Sequence, residues 1–248
     1  MKNLLQFFKR RPSTTTSYPE LSSVGGLKNA LNLEFRKINS PLSVLDDGAL
    51  STKMPVTYAR VEKEKKFSQI YLAANEKLYL PDFWRDGVCL AHGKTDNLRE
   101  LAKVLTVWLC KNVTTKKLSE DFPFVSPNVK AAAFDEGREV QYAWEYIHTD
   151  SSRSLLQAFV ALAMKDEILN KLFPFTSLYT LCFSRCTGYP YTSDTPTVVP
   201  IGDDKYEVRR ADGSPIGSGT AAEALKILRE RLPSDIKPAI KGTADDIQ

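Results

Sequence analysis

The sequence lacks most of the patterns by which catalytic and metal-binding proteins are recognised. It has two histidines and four cysteines in 248 residues, with no C-x-x-C or H-E-x-x-H pair, so the pattern does not indicate a zinc site. Neither G-x-G-x-x-G nor G-x-x-x-x-G-K-[ST] is present, which argues against a dinucleotide or P-loop nucleotide site. We therefore predict no metal and no cofactor.

A strong charge of one sign and a long apolar run are also missing. The formal net charge is +4, and the first twelve residues supply all of it, because the thirty other basic residues equal the thirty acidic ones. A nucleic-acid binder concentrates Lys and Arg on one face to neutralise phosphates, so we expect no nucleic-acid partner. No apolar run approaches the ~18 residues of a membrane helix.

Residues 1–12 combine a basic cluster with a few apolar side chains. This pattern is too short for a signal peptide and predicts at most weak membrane contact. Residues 1–25 are interpreted as this tail followed by a Ser/Thr/Pro linker. Because no export signal is present, we expect a cytoplasmic protein with four reduced cysteines, namely Cys89, Cys110, Cys182 and Cys186.

Residues 26–112 are predicted to form an N-terminal α+β half. A helix is expected from Leu27, where apolar residues recur at helical spacing. Short β-branched and aromatic runs separated by charged turns predict four antiparallel strands, VTYARVEK, FSQIYLAA, KLYLPDFW and GVCLAH. A second helix, TDNLRELAKVLTVWLC, is expected to begin at Thr95 or Asp96 as its N-cap.

Residues 113–248 are predicted to form a helical centre and a β-rich half with a final helix. AAAFDEGREVQYAWEYI is interpreted as helical, and SRSLLQAFVALAMKDEILNKL as one long helix that is capped by Asp150 or Ser151 and ended by Pro174. The Asp212-Gly213 turn and the Thr220-x-x-Glu223 capping box predict a C-terminal ββα unit. The fold class is therefore α+β, with antiparallel sheet segments and amphipathic helices; whether the halves share one core stays open.

The segments FPFTS, LCFSRCTGYP and TAAEA, with the Tyr206-x-Val208 pair between them, stand in the order of a known family. Over residues 172–246 the chain resembles bacterial domains of unknown function that are often labelled natural-product biosynthesis proteins. The segment GVCLAHGKTDNLRELAKVLTVWL and Trp144 are weaker matches. The label describes a genomic neighbourhood and implies no particular reaction.

The stretch from Lys171 to Pro196 holds the candidate site, because an apolar strand ends there in a loop rich in reactive and recognition side chains. The candidate binding residues are Arg185, Cys186, Tyr189, Tyr191 and Asp194. Tyrosine and arginine dominate the energetics of protein interfaces, so this loop fits a recognition surface. A structural alternative pairs Arg185 with Asp194 and packs the loop across the sheet.

A nucleophilic interpretation uses the same region differently. It takes Cys186 or Ser184 as nucleophile, His92 or His148 as base and Asp194 as the orienting group. We assign no catalytic residues, because nothing in the spacing predicts that these groups converge.

The sequence favours a non-catalytic recognition protein whose partner is another protein, such as an immunity-type protein that binds a toxin. The alternative is a small-molecule enzyme or accessory factor in natural-product biosynthesis. A deep pocket that contains Arg185, Cys186 and one histidine would favour the enzyme, whereas an open aromatic surface would favour a protein partner.

Overall fold

The computed structural model describes residues 18–44 and 58–247, so the predicted basic tail lies outside the described residues. The described chain divides into two units. The first comprises the residues up to Arg85 together with Cys89–Asn128, and the second comprises Asp86–Val88 and the residues from Val129 onward. Each unit has a five-stranded antiparallel sheet with helices, which confirms the predicted α+β class.

The sheet of the first unit is a meander in which strands adjacent in sequence are adjacent in space. Its strands are β1 (Tyr58–Lys63), β2 (Lys66–Leu72), β3 (Tyr79–Arg85), β4 (Val88–Gly93) and β5 (Val125–Pro127). The four predicted strands are thus confirmed, and the proline-broken segment before Pro127 supplies the fifth.

In the described residues, four helices accompany this sheet: α1 (Pro19–Ser22), α2 (Leu27–Lys37), α3 (Leu98–Cys110) and α4 (Thr115–Asp121). The predicted N-cap of α3 is wrong. Asn97 takes that position, because its side-chain oxygen accepts hydrogen bonds from the N–H groups of Arg99 and Glu100. Phe83 packs edge-on against Trp108 of α3, with both side chains buried.

The stretch that the sequence analysis assigned to a linker is already packed at Tyr18. The Tyr18 side chain is buried, and its hydroxyl lies within hydrogen-bond distance of three backbone carbonyls of the β2–β3 connection, the nearest being Leu78 O at 2.8 Å. Leu21 of α1 is buried as well. An aromatic ring can therefore anchor a segment whose overall composition is typical of a linker.

The sheet of the second unit runs in the order β10, β9, β8, β7, β6, so β6 and β10 are its edges. Its strands are β6 (Phe173–Ser177), β7 (Thr180–Ser184), β8 (Thr197–Gly202), β9 (Lys205–Arg209) and β10 (Pro215–Gly219). One face of this sheet, with Leu181, Val198 and Val208 in register, packs against the helices. Pro174 lies inside β6 and therefore does not end a preceding helix.

The helices of the second unit are α5 (Ala131–Glu136), α6 (Glu139–Thr149), α7 (Gln157–Ala163) and α8 (Ala221–Arg229), with 3₁₀ turns at Ser151–Leu156, Leu169–Lys171 and Ala244–Asp246. The predicted cap at Asp150 is confirmed, because its side chain accepts the N–H of Ser152 at the start of the 3₁₀ turn. The predicted single long helix is wrong: α7 begins only at Gln157 and ends at Ala163. Beyond it, the Asp166 carboxylate accepts the N–H groups of Ile168 and Leu169, and this side-chain alternative competes with helical hydrogen bonding.

The predicted ββα unit is confirmed. Strands β9 and β10 form a hairpin across the Asp212-Gly213 turn, where Gly213 has a φ of 85°. At the start of α8, Thr220 and Glu223 form the expected capping box, with the Glu223 carboxylate 2.8 Å from Thr220 N. Within residues 18–44 and 58–247, no helix is both long and apolar enough to cross a membrane.

Candidate functional site

The loop that follows β7 is organised around the buried hydroxyl of Ser184. Its Oγ accepts the N–H groups of Cys186 at 3.0 Å and Thr192 at 3.2 Å. Thr192 Oγ1 accepts the N–H of Arg185 at 3.0 Å, and Thr195 Oγ1 donates to Phe183 O at 2.7 Å. These side chains are buried, so the hydroxyls satisfy polar groups that would otherwise be costly to remove from water.

The loop backbone also bonds to two other segments of the second unit. Gly188 N donates to Gly242 O at 2.7 Å, and Tyr189 N donates to Gly87 O at 3.1 Å. A Cβ atom on Gly188 would lie 1.7 Å from Asp86 O, so this position requires glycine for steric reasons. Hydrogen bonds from both side-chain and main-chain groups therefore fix the conformation of the loop.

Cys186 lies inside this framework. Its side chain is fully buried, and its thiol lies within hydrogen-bond distance of three oxygen atoms: Ser184 Oγ at 3.2 Å, Gly188 O at 3.5 Å and Pro190 O at 3.6 Å. His148 is exposed on α6, and His92 belongs to the first unit. This geometry suits a packing residue, because a nucleophile must be reachable by its substrate and needs a base or a positive charge beside it.

Arg185 and Asp194 form the ion pair that the structural alternative anticipated. Arg185 Nε and Nη2 lie 2.8 and 2.6 Å from Asp194 Oδ2. Partial burial acts to raise the pKa of Asp194, but the hydrogen bond and charge of Arg185 outweigh it and hold the pKa below its usual value. The ion pair thus links the start of the loop, at Arg185, to its end, near Asp194.

Two tyrosines of the loop are placed differently from each other. The Tyr189 side chain is 70% exposed and meets Tyr191 edge-on, with ring centroids 6.0 Å apart. Tyr191 stacks on Phe175 at 4.4 Å and on Phe173 at 5.6 Å. Burial raises the pKa of the Tyr191 hydroxyl, and the nearby Cys186 adds to the rise. Tyr189 is therefore the loop residue with most surface to offer a partner.

A groove of about 340 Å³ extends from Tyr191 between α6 and β6. Six aromatic side chains line it: Phe134, Tyr142, Tyr146, Phe173, Phe175 and Tyr191. On the α6 wall, Tyr142 and Tyr146 lie one helical turn apart and stack, with ring centroids 6.2 Å apart and planes within 17°. The opposite wall is the stack of Tyr191 on Phe175 and Phe173. The two walls present aromatic surface to one open channel.

Arg153 fixes one end of the groove. Its guanidinium lies 5.6 Å above the Tyr146 ring, its Nε donates to Thr176 Oγ1 at 3.1 Å, and its Nη1 lies against the Asp150 carboxylate. Lys130 is the other charged residue of the lining, and its Nζ lies 6.0 Å from the Phe134 ring. Among the described residues that line the groove there is no carboxylate.

The strand beneath the groove is an edge strand that is protected from pairing. Ser177 pairs with Thr180 across a two-residue turn, so these two residues form a hydrogen-bonded pair. Hydrogen-bonded and non-hydrogen-bonded pairs alternate along β6 and β7 from there, and Pro174 falls in a non-hydrogen-bonded pair, with its backbone N and C=O pointing away from β7. Proline has no N–H to offer an added strand. A ligand at this edge must therefore be recognised by the side chains of the groove.

The α6 wall and Arg153 were not among the predicted site residues. The signal was present in the spacing Tyr142-x-x-x-Tyr146, which sets two aromatic rings on one face of a helix. The sequence does not show that this face of the helix lies beside β6, about thirty residues further along the chain. In the parts of the chain that the structure describes, no three His, Cys, Asp or Glu side chains cluster as a metal site requires.

Comparison with known proteins gives one finding. A family model described as a family of unknown function (DUF6193) matches residues 138–243, which include α6, Arg153, β6 and the loop after β7. No significant match was found to a curated protein or to a solved structure. The match agrees with the sequence resemblance in its location and in pointing to a family without an assigned function.

Proposed function

We propose that this chain is a non-catalytic recognition protein of the bacterial cytoplasm that binds another protein, as an immunity-type protein binds a toxin. The binding surface in this proposal is the aromatic groove together with the exposed ring of Tyr189. The observation that best supports this proposal is that six aromatic side chains line an open groove, whereas the thiol of Cys186 in the predicted site is buried. Aromatic residues in such settings dominate interface energetics.

The extent of the apolar surface supports a protein partner over a small ligand. The groove volume of about 340 Å³ is at the low end for a small-molecule site. The groove is open to solvent along its lining, where Val129 is 88% exposed and Tyr146 is 51% exposed. Exposed apolar surface around a groove is typical of protein interaction sites.

The enzyme alternative has less support. It would need Arg185, Cys186 and a histidine in one deep pocket, but none of the described residues lining the groove is a cysteine or a histidine. Arg185 is already paired with Asp194 outside that lining. The groove therefore offers binding surface without a nucleophile or a base.

The lining indicates which partner segment fits. Its aromatic side chains offer apolar surface, whereas the Arg153 guanidinium is already paired with the Asp150 carboxylate. We therefore expect the partner to insert an apolar or aromatic side chain into the groove. The proline in β6 argues against recognition by strand addition.

The test begins with capture from the native cell and is decided with purified components. Each protein enriched by the wild-type chain is purified and mixed with it, and amide hydrogen exchange is compared in the free and mixed states. We expect slower exchange in α6, in β6 and around Tyr189. If no purified protein binds, or if protection falls outside these segments, the proposal is wrong.

A matched pair of variants localises the binding energy. Tyr142→Ala removes a ring from the groove, whereas Tyr179→Ala removes a ring that is 70% exposed at the β6–β7 turn, outside the lining. We expect Tyr142→Ala to weaken partner binding by about tenfold, the usual scale of an interface anchor, and Tyr179→Ala to leave it within about twofold. Equal losses in the two variants would contradict the assignment to the groove.

A further inference from the structure

The first unit holds a cysteine and a histidine that the groove and its loop do not involve. Cys89 and His92 lie three residues apart on β4, and Cys89 Sγ is 3.7 Å from His92 Nε2. Cys89 is partly exposed and His92 is exposed. A thiol within hydrogen-bond reach of an imidazole nitrogen has a base to which its proton can pass.

Two further polar side chains surround this pair. The Asn128 side-chain amide donates a hydrogen bond to Cys89 O at 2.9 Å, and its Nδ2 lies 3.9 Å from Cys89 Sγ. Asn128 therefore contacts both the backbone and the thiol of Cys89. Asp82, on the neighbouring β3, is buried. Burial raises the pKa of Asp82, while the Trp84 indole, the Gln69 N–H at 2.6 Å and His92 act to lower it.

The other cysteines, all in the described part of the chain, have no such contact with a histidine. Cys186 is buried among oxygen atoms. Burial raises the pKa of the Cys182 thiol, whose Sγ lies 3.9 Å from Thr180 O. Cys110 is partly exposed at the end of α3. Of the four thiols, only that of Cys89 has a histidine nitrogen within hydrogen-bond distance.

We infer that Cys89 is the reactive thiol of this protein and is a site of reversible modification by small disulfides such as oxidised glutathione, with His92 as its base. The thiol proton passes to His92 Nε2, and the resulting thiolate attacks one sulfur of the disulfide. A new S–S bond forms at Cys89 as the original one breaks. The other half of the disulfide leaves as a thiolate and takes the proton back from His92. The exchange needs no other reactant.

The experiment incubates the purified full chain with oxidised glutathione at neutral pH and follows each cysteine by peptide mass spectrometry. We expect the mixed disulfide to appear at Cys89 about tenfold faster than at Cys110, because exchange rates follow the thiolate fraction. This comparison is internal to the wild-type molecule and depends on no variant. If Cys110 or Cys182 reacts as fast as Cys89, the inference is wrong.

A second measurement assigns the base. His92→Gln should slow modification of Cys89 about fivefold, since the proton acceptor is lost while a polar side chain of similar length remains. His148→Gln, which removes the other histidine from an exposed position on α6, should leave the Cys89 rate unchanged. Circular dichroism shows whether both variants stay folded. An unchanged Cys89 rate in a folded His92→Gln protein would overturn the role of His92.

Discussion

The loop after β7 and the groove beside it differ in what their side chains do. The loop has the denser set of reactive residue types, yet Ser184, Cys186 and Thr192 are engaged in holding its own backbone. The groove is built from residues that form no recognised motif, but its rings, such as Tyr142 and Tyr146, face open space. Chemical variety within a short stretch is therefore a poor guide to which surface binds a partner.

The largest effect is expected where the loop backbone is most tightly enclosed. Gly188→Ala should destabilise the protein by at least about 3 kcal/mol, because the new methyl group would overlap Asp86 O and the backbone would have to move. Gly202→Ala is the control, since its Cβ would meet Lys205 Cβ at an ordinary 3.9 Å. Urea unfolding measures both. A Gly188→Ala protein as stable as Gly202→Ala would show that the loop is not enclosed.

Loss of the central hydroxyl should have the next largest effect. Ser184→Ala leaves the N–H groups of Cys186 and Thr192 without their acceptor in a buried setting, and we expect a loss of about 2 kcal/mol. The exposed Ser177, on the neighbouring β6, serves as the control, and its alanine variant should unfold like the wild type. Two equal unfolding midpoints would mean that the loop does not depend on this hydroxyl.

Removal of the exposed Tyr189 ring from the same loop should weaken partner binding and leave the stability of the protein nearly unchanged. Tyr189→Ala should weaken partner binding by about 1–2 kcal/mol, the scale of an interface hot spot. Its free energy of unfolding should change by less than about 1 kcal/mol, because the ring is 70% exposed. Calorimetric titration and urea unfolding separate the two quantities. Unaltered affinity would remove Tyr189 from the binding surface.

The smallest effect concerns the Arg185–Asp194 pair. The pKa of Asp194 is lowered in the folded state, so its contribution to stability is present above the unfolded pKa and is lost as the pH falls through the folded value. Both side chains are partly solvated, so Asp194→Asn should cost only about 0.5 kcal/mol at neutral pH. The difference from wild type should disappear in acid. A difference that persists below the pKa of Asp194 would contradict an electrostatic origin.

Local signals predicted most of the fold. The strands of the first unit alternate or cluster β-forming residues, and the capping box at Thr220 and Glu223 depends on neighbours in sequence. The prediction of a long central helix was wrong because the amphipathic pattern of the sequence continues past Ala163. In the structure, the Asp166 carboxylate accepts hydrogen bonds from backbone N–H groups that would otherwise bond within a helix. Periodicity does not report this local competition.

The candidate site was predictable only where its parts are close in sequence. The Arg185–Asp194 pair and the exposed Tyr189 lie within one loop and were anticipated as alternatives. The groove was not, because α6 and β6 meet through tertiary packing: Trp144 Nε1 donates to Leu172 O at 3.1 Å across 28 residues. The Cys89-x-x-His92 spacing is visible in the sequence, but spacing alone does not show that Cys89 Sγ lies 3.7 Å from His92 Nε2.

The most direct test of the central claim compares Tyr146→Ala and Cys186→Ser by calorimetric titration with the purified partner. Tyr146 contributes an open ring to the groove, and Cys186 contributes only packing inside the loop. We predict that Tyr146→Ala weakens binding about tenfold and that Cys186→Ser leaves the affinity within about twofold, provided that both proteins remain folded. The reverse ranking, with affinity lost in Cys186→Ser alone, would contradict the account.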